Sequence, residues 1–289
     1  MLFKTKLAAF FLLLPTLVSA AEPAKTELFP GILYSTETGE NPSFSYHILT
    51  ISLKNPTISL HVSPAGPDPD GDGPWQTTLQ TVPKIAERDS FDIAINGDFF
   101  APKPPNNLDD GSGLGALINR GYQVGQWARV MGAAVTGGKQ WSTAAEKKPA
   151  LMVMGDGRVE MAEVTTAPAG VKEAVSGSAF LVREGKPARY YKDGERNART
   201  AIGLDRERTM LTILVADGLL NGRASGITGK ELVAKMMELG CYDAIVLDGG
   251  GSTTLVMRDA ASGKYRVMNH PSDGKPRAVA EVLGVVVKK

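Results

Sequence analysis

The sequence predicts an α+β fold: a single domain around a mixed, largely antiparallel sheet with a few helices. Three observations carry that expectation. Short apolar runs recur along the chain, and several stop at a small polar residue followed by glycine. One segment with helical spacing lies between two of these runs. No internal repeat or low-complexity linker divides the chain behind its N-terminal leader.

That leader comes first in order. Lys4 and Lys6 precede an apolar run from Leu7 to Val18, and Val18-Ser19-Ala20 supplies small residues for cleavage. This is the pattern of a secretory signal peptide over residues 1–21, with the mature domain over 22–289 beginning near Ala21 or Glu22. The run is short for a membrane-spanning helix, which needs about 20 apolar residues. Pro64–Pro74 and Pro102–Gly113 read as surface loops. Asp68, Asp70 and Asp72 resemble the start of a calcium loop, but Leu79 stands where the closing glutamate belongs, and the stretch reads as a solvated acidic turn. Phe91, Ile93 and Ile95 alternate along a strand that stops at Asn96-Gly97. Thr200–Leu204 and Thr209–Ala216 flank Asp205–Arg208 as a hairpin, whose second strand stops at Asp217-Gly218. Thr228 and Glu231 form a capping box, Leu232, Met236 and Leu239 share a face, and Gly240 ends that helix. Ala244–Leu247 is a strand stopping at Asp248-Gly249, and Val279–Val287 is a buried final strand.

Composition narrows the function classes. A chain of 289 residues with 43% hydrophobic and 22% charged residues can bury a sizeable core. Lys and Arg number 32 against 31 Asp and Glu, so no bulk field draws in nucleic acid or anionic lipid. Cys241 is the single cysteine, so no intramolecular disulfide forms, and it reads as a structural, half-buried thiol. His47, His61 and His270 show no metal-ligand spacing; His270, inside Asn269–Ser272, is the one connected to a motif.

The candidate site follows from the strand endings. If the ends at Asn96, Asp217 and Asp248 meet at one sheet edge, they surround one cleft with rigidly held polar groups. Asn-Gly and Asp-Gly are also plain turn dipeptides. The stretch Asp248-Gly249-Gly250-Gly251-Ser252-Thr253-Thr254 is harder to read as a turn alone. Three glycines after an apolar strand suit a main chain that turns tightly or touches a ligand, with free amides as an anion nest. No lysine follows as in a P-loop. Arg199 and Arg277 precede strands and suit a phosphate or carboxylate.

Six stretches occur together in order: Ala94–Phe100 (AINGDFF), Arg199–Gly203 (RTAIG), Val215–Gly218 (VADG), Ser225–Thr228 (SGIT), Leu247–Ser252 (LDGGGS) and Asn269–Ser272 (NHPS). In these the chain resembles the phosphodiester glycosidase family, over roughly Phe91 to the C-terminus. The resemblance implies an exported hydrolase cleaving the C1–O bond of a sugar 1-phosphodiester, such as one carrying α-N-acetylglucosamine, with periplasmic or secreted location. It implies a carbohydrate phosphodiester as partner, without metal, cofactor, nucleic acid or membrane insertion. The chain departs from the family's common residues at Asp98 (Gly), Val246 (Asn) and Leu219 (Arg); the last bears on substrate contact, and Asp98 adds a carboxylate near the cleft.

Chemistry sets roles beside the resemblance. A phosphate leaving group needs little acid assistance, but it needs cationic or amide donors, and the sugar needs a carboxylate. Arg199 and the amides of Gly249, Gly250 and Gly251 are assigned to phosphate, and Asp217 and Asp248 are the paired carboxylates, with acid, base and nucleophile left open. Asn96, Ser252 and Thr253 are expected to orient sugar hydroxyls, and Gly97, Asp98, Asn269 and Arg277 to complete the binding surface. The residue chemistry is equally compatible with a non-catalytic glycan-binding or exopolysaccharide accessory protein, which Leu219 and Val246 favour, and with a P–O cleaving phosphodiesterase, which typically uses paired metals.

Overall fold

The computed structural model describes residues 24–103, 121–188, 195–218 and 224–288. The leader, most of the Pro102–Gly113 loop and Leu219 lie outside the described residues.

Adjacent apolar runs pair into an eight-stranded sheet. Its order is Thr26–Phe29, Ile32–Glu40, Ser43–Ser52, Met210–Ala216, Arg199–Leu204, Asp243–Val246, Ala179–Arg183 and Lys186–Pro187. A second sheet runs Tyr265–Val267, Leu255–Arg258, Ile93–Asn96, Val282–Val287 and Ile58–Val62. A third runs Lys139–Ser142, Ala134–Thr136, Val171–Ser176, Lys148–Met154 and Val159–Val164. The strand pairs of these three sheets are all antiparallel among the described residues, so the sheet lies at the antiparallel end of the expected mix.

The continuous apolar character of Met210–Ala216 has a plain cause: both faces of its sheet are covered. Leu211, Ile213 and Val215 point into a core shared with Ile93, Ile95, Leu255 and Leu283 of the second sheet and Leu151 and Val175 of the third. Leu214 and Ala216 point the other way, onto Leu232 and Met236 of the helix Gly229–Glu238. The helix Val82–Asp89 covers the outer face of the second sheet through Val82, Ile85 and Ala86. Each large aliphatic side chain fully buried here contributes roughly 1.5–3 kcal/mol relative to exposure.

Local signals explain the ends. The Thr228 hydroxyl accepts the Glu231 amide at 3.2 Å and Glu231 accepts the Thr228 amide at 3.0 Å, the reciprocal box read from the sequence. Thr228→Ala is expected to lower stability by about 1 kcal/mol, read as a shifted urea midpoint with unchanged slope. The hairpin turn is held by Asp205, whose carboxylate accepts the amides of Thr209 at 2.7 Å and Met210 at 2.9 Å. Asp68 accepts the amides of Asp70 and Gly71, at 3.2 and 2.9 Å, as an acidic turn does. Cys241 is buried rather than half-buried, and burial pushes its thiol up to about 11, away from reactivity.

The final strand departs from expectation. Instead of one run over Val279–Val287, Ala278–Val279 pairs with Gln80–Thr81, and Val282–Val287 pairs with two other strands. Between them Glu281 gives its carbonyl to the Gly97 amide at 2.9 Å and its carboxyl to the Asp98 amide at 3.1 Å. A residue turned inward in this way interrupts the strand.

Candidate active site

The strand endings do converge. Arg199 faces Ala216 across the hairpin, and Ala201 faces Val246, so Arg199, Asp217 and Asp248 lie at one edge of the large sheet. Asn96, completely buried at the end of its strand, ties the second sheet to that edge. Its Nδ2 donates to the Asp248 carbonyl at 2.8 Å, and its Oδ1 accepts the Thr200 hydroxyl at 2.8 Å and the Thr254 amide at 3.2 Å. The Asp248 amide in turn donates to the Gly97 carbonyl at 3.1 Å. Asn96 is thus a strut beneath the site. Asn269 does the same for the neighbouring segment, accepting the Leu255 amide at 2.8 Å and donating to the Thr253 carbonyl at 3.0 Å.

Asp248 is partly buried at the end of its strand. Burial raises its pKa above the ordinary aspartate value; the Ser252 hydroxyl, the Gly249 amide, Arg277 and Arg199 pull it back. Arg199 Nε is buried without a hydrogen-bond partner among the described residues, as are the hydroxyls of Ser252 and Thr254. Such a donor is costly unless something accepts from it. Thr253 is also buried, and its hydroxyl lacks a partner among the described residues.

The glycine run does not work as a three-amide nest. The Gly249 amide donates to Asp248 Oδ1 at 2.8 Å and the Gly250 amide to the Ala198 carbonyl at 2.8 Å. Two of the three amides assigned to phosphate are therefore spent on closing the turn, because a tight turn satisfies its own donors. Gly251 has a different role. A Cβ there would stand 2.0 Å from Arg277 Nη2 and 2.3 Å from Asp273 Oδ2, so glycine admits that pair against the backbone. Arg277 donates to Asp273 from Nε at 2.8 Å and Nη2 at 3.1 Å, and stacks over Tyr122 at 4.2 Å.

Gly218 is needed for a similar close approach, here to backbone. A Cβ would stand 2.3 Å from the Ala198 amide nitrogen, which a side-chain rotation cannot relieve. Gly218→Ala is expected to push aside the segment that carries Arg199 and to cost about 1–3 kcal/mol. A thermal melt unchanged from wild type would sink that expectation.

Asp248 contributes to the rise of the Asp98 pKa, while Asp217 has other partners. Asp217 is fully buried among histidines. Its Oδ1 accepts the His270 amide at 2.8 Å, its Oδ2 lies 3.2 Å from His270 Nδ1, and His47 Nε2 is 3.6 Å away. Burial alone would raise its pKa, but His47 and His270 together hold it below the ordinary 3.8. An ionised carboxylate only accepts, so His270 Nδ1 carries a proton and Nε2 is left for solvent or a ligand, on a side chain 57% exposed. His47, whose Nδ1 lies 2.7 Å from the Tyr34 hydroxyl, completes the buried chain.

Sequence reasoning left out His47, His270 and Glu281. His270 had a signal in its Asn-His-Pro-Ser stretch, and Glu281 in being the one charge inside an apolar run. His47 had none. His61 lies elsewhere, lining a cleft of about 260 Å³ with Met154, Lys172 and Glu173. Asp98 is 2% exposed, its Oδ1 accepting the Phe99 amide at 2.7 Å.

Comparison with known proteins identifies the family and the fold. The profile of a family described as phosphodiester glycosidase matches residues 89–286. A Bacillus subtilis (strain 168) protein, the SPbeta prophage-derived YomE, is 32% identical over 121 residues, 40% of this chain and 18% of that one. The chain thus spans less than a fifth of that relative. The catalytic domain of zebrafish N-acetylglucosamine-1-phosphodiester alpha-N-acetylglucosaminidase, auto-inhibited by its pro-peptide, superposes with a TM-score of 0.58 at 20% identity, over 92% of this chain and 86% of that one. A Burkholderia pseudomallei protein described as exported gives 0.61 at 14% identity, over 84% and 74%. A hypothetical protein from Synechocystis gives 0.58 at 15% identity, over 93% and 64%. These structural likenesses carry the fold.

Proposed function

This chain belongs to the phosphodiester glycosidase family, and from that premise we propose that it hydrolyses the C1–O bond of a sugar 1-phosphodiester. The observation that carries the reading is Arg199, whose buried, unpartnered Nε borders Asp248 where the strand ends converge. A phosphodiester oxygen is the acceptor such a guanidinium lacks.

Arg199 holds the phosphate and stabilises its charge as the C1–O bond lengthens. Arg277, steered by Asp273 and Tyr122, borders the same turn and contributes to anion binding. Asp248, once ionised, faces the positive charge developing at the sugar carbon, as a nucleophile or as a guide for water. Asp217 remains the second carboxylate of the reaction, acting through His270: it orients the imidazole so that Nε2 can move a proton to or from water. Ser252 supports Asp248, Thr253 offers a hydroxyl to the sugar, and Asn96, Gly97 and Asn269 keep these groups in register. Asp98 and the Gly251 amide border the sugar-phosphate. The leader at residues 1–21 directs export to the periplasm or beyond, and an α-N-acetylglucosamine phosphodiester of a glycan is the substrate class.

Product analysis with UDP-N-acetylglucosamine tests this. Free N-acetylglucosamine and intact UDP support C–O cleavage. Sugar 1-phosphate and UMP would mean P–O cleavage and overturn it.

A further inference from the structure

Beside Asp98, the three sheets meet at a pair of carboxyls that the steps above leave without a proton role. Glu281 is completely buried and Asp98 is 2% exposed. The Asp98 amide donates to Glu281 Oε2 at 3.1 Å, and the Gly97 amide to the Glu281 carbonyl at 2.9 Å. Glu281 Oε1 is buried with no hydrogen-bond partner among the described residues. The groups facing Asp98 come from three directions: Glu281 from the interrupted final strand, Lys148 from the third sheet, and Asp248 from the glycine turn. Lys148 is shared with Glu146 at 3.8 Å, so it does not neutralise both buried acids. Asp98 Oδ2 is likewise buried with no hydrogen-bond partner among the described residues, and a carboxyl held away from water without a cation of its own resists ionisation.

We infer that Asp98 and Glu281 form a buried proton-holding pair that sets the charge state of Asp248, with Asp98 as a positioning residue acting through it. The inference takes from the functional reading only that Asp248 is the working carboxylate. Burial pushes Asp98 up to about 7, with Asp248 adding to the rise while the Phe99 amide, Lys148 and the Gly132 amide oppose it. Burial, then the nearby Asp98, raises Glu281 well above the ordinary 4.5. Below its midpoint Asp98 adds no negative charge beside Asp248. As Asp98 ionises, a second negative charge arrives beside Asp248 and opposes a bound phosphodiester anion.

The sign of the stability effect follows. A carboxyl raised in the folded state contributes stability below its unfolded pKa and loses it as pH rises through the folded pKa. For Asp98 that window runs from 3.8 to about 7, and for Glu281 it begins at 4.5 and extends upward. Removing either acid should flatten this loss.

The test is a pH titration of the mature protein with carbon-13 labelled side-chain carboxyls, followed by NMR, with resonances assigned by Asp98→Asn, Glu281→Gln and Asp248→Asn. The Asp98 signal should titrate around neutrality, the Glu281 signal should titrate well above the ordinary 4.5, and Asp98→Asn should move the Asp248 midpoint to lower pH. Asp98 titrating in the ordinary carboxylate range, or an Asp248 midpoint unmoved in Asp98→Asn, would overturn the inference. If Glu281→Gln does not fold, wild type and Asp98→Asn decide the matter. No substrate is involved, so UDP-N-acetylglucosamine left uncut in the product assay counts against the functional reading and leaves this test standing.

Discussion

Asp248→Asn is expected to lower kcat/KM for a sugar 1-phosphodiester by about 10³-fold, while the protein melts at or above the wild-type temperature. The two halves of that result have separate causes. The loss in rate comes from removing the negative charge that faces the sugar carbon beside Arg199. The retained fold comes from the geometry of the turn: an asparagine Oδ1 still accepts the Gly249 amide, and the main-chain bonds of residue 248 to Gly97 and Asn96 are untouched. Because burial raises the Asp248 pKa, wild type loses stability as pH climbs above the ordinary 3.8, and the variant does not. The stability advantage of Asp248→Asn should therefore grow from acid towards neutral pH. Full turnover with normal melting would remove Asp248 from the mechanism.

Asp217→Ala should behave differently and lose the fold's reserve as well as activity. It strands the His270 amide and leaves His47, 6% exposed, without its carboxylate. The expected cost is about 3 kcal/mol at neutral pH, read from urea unfolding. The sign of its pH dependence is the reverse of that for Asp248. The Asp217 pKa is held below 3.8, so its contribution is present above that value and fades as pH falls through the folded pKa. The gap between Asp217→Ala and wild type should narrow in acid; a gap that stays constant or widens there would contradict an ionised Asp217 held by its histidine contacts. Asp217→Asn separates the two roles. Its amide can accept from the His270 backbone but offers N–H to the ring, which favours the opposite tautomer. Turnover should fall by about 10²–10⁴-fold with most of the stability kept.

Much of the site was legible before any tertiary structure, because the signals involved are local. Asn96-Gly97, Asp217-Gly218 and Asp248-Gly249 mark strand ends through residues adjacent in sequence, and the Thr228–Glu231 box and the Asp205 turn close within a few residues. That the three marked ends meet was a geometric expectation: the register puts the Asp217 and Asp248 ends at one edge of the large sheet, and Asn96 reaches them from the second sheet through its bond to the Asp248 carbonyl. The strands of the third sheet, Ala134–Val164 and Val171–Ser176, escaped because their pairing partners are not announced by a motif.

What only the folded molecule decided is which partner each buried polar group takes. Asn96 meets Asp248 across 152 positions, Asp98 meets Glu281 across 183, and Asp217 meets His270 across 53. The amides of Gly249 and Gly250 looked free in a glycine run and are instead consumed by Asp248 and Ala198. The physical reason is common to all of these. Backbone conformation is set by near neighbours and leaves a trace in the sequence, whereas a polar group removed from water must bond to whatever the packing of sheets brings against it. The positions of Asp217 and Asp248 were therefore written in the chain, but their charges are set by burial and by His47, His270, Arg199 and Arg277 arriving from elsewhere in the fold.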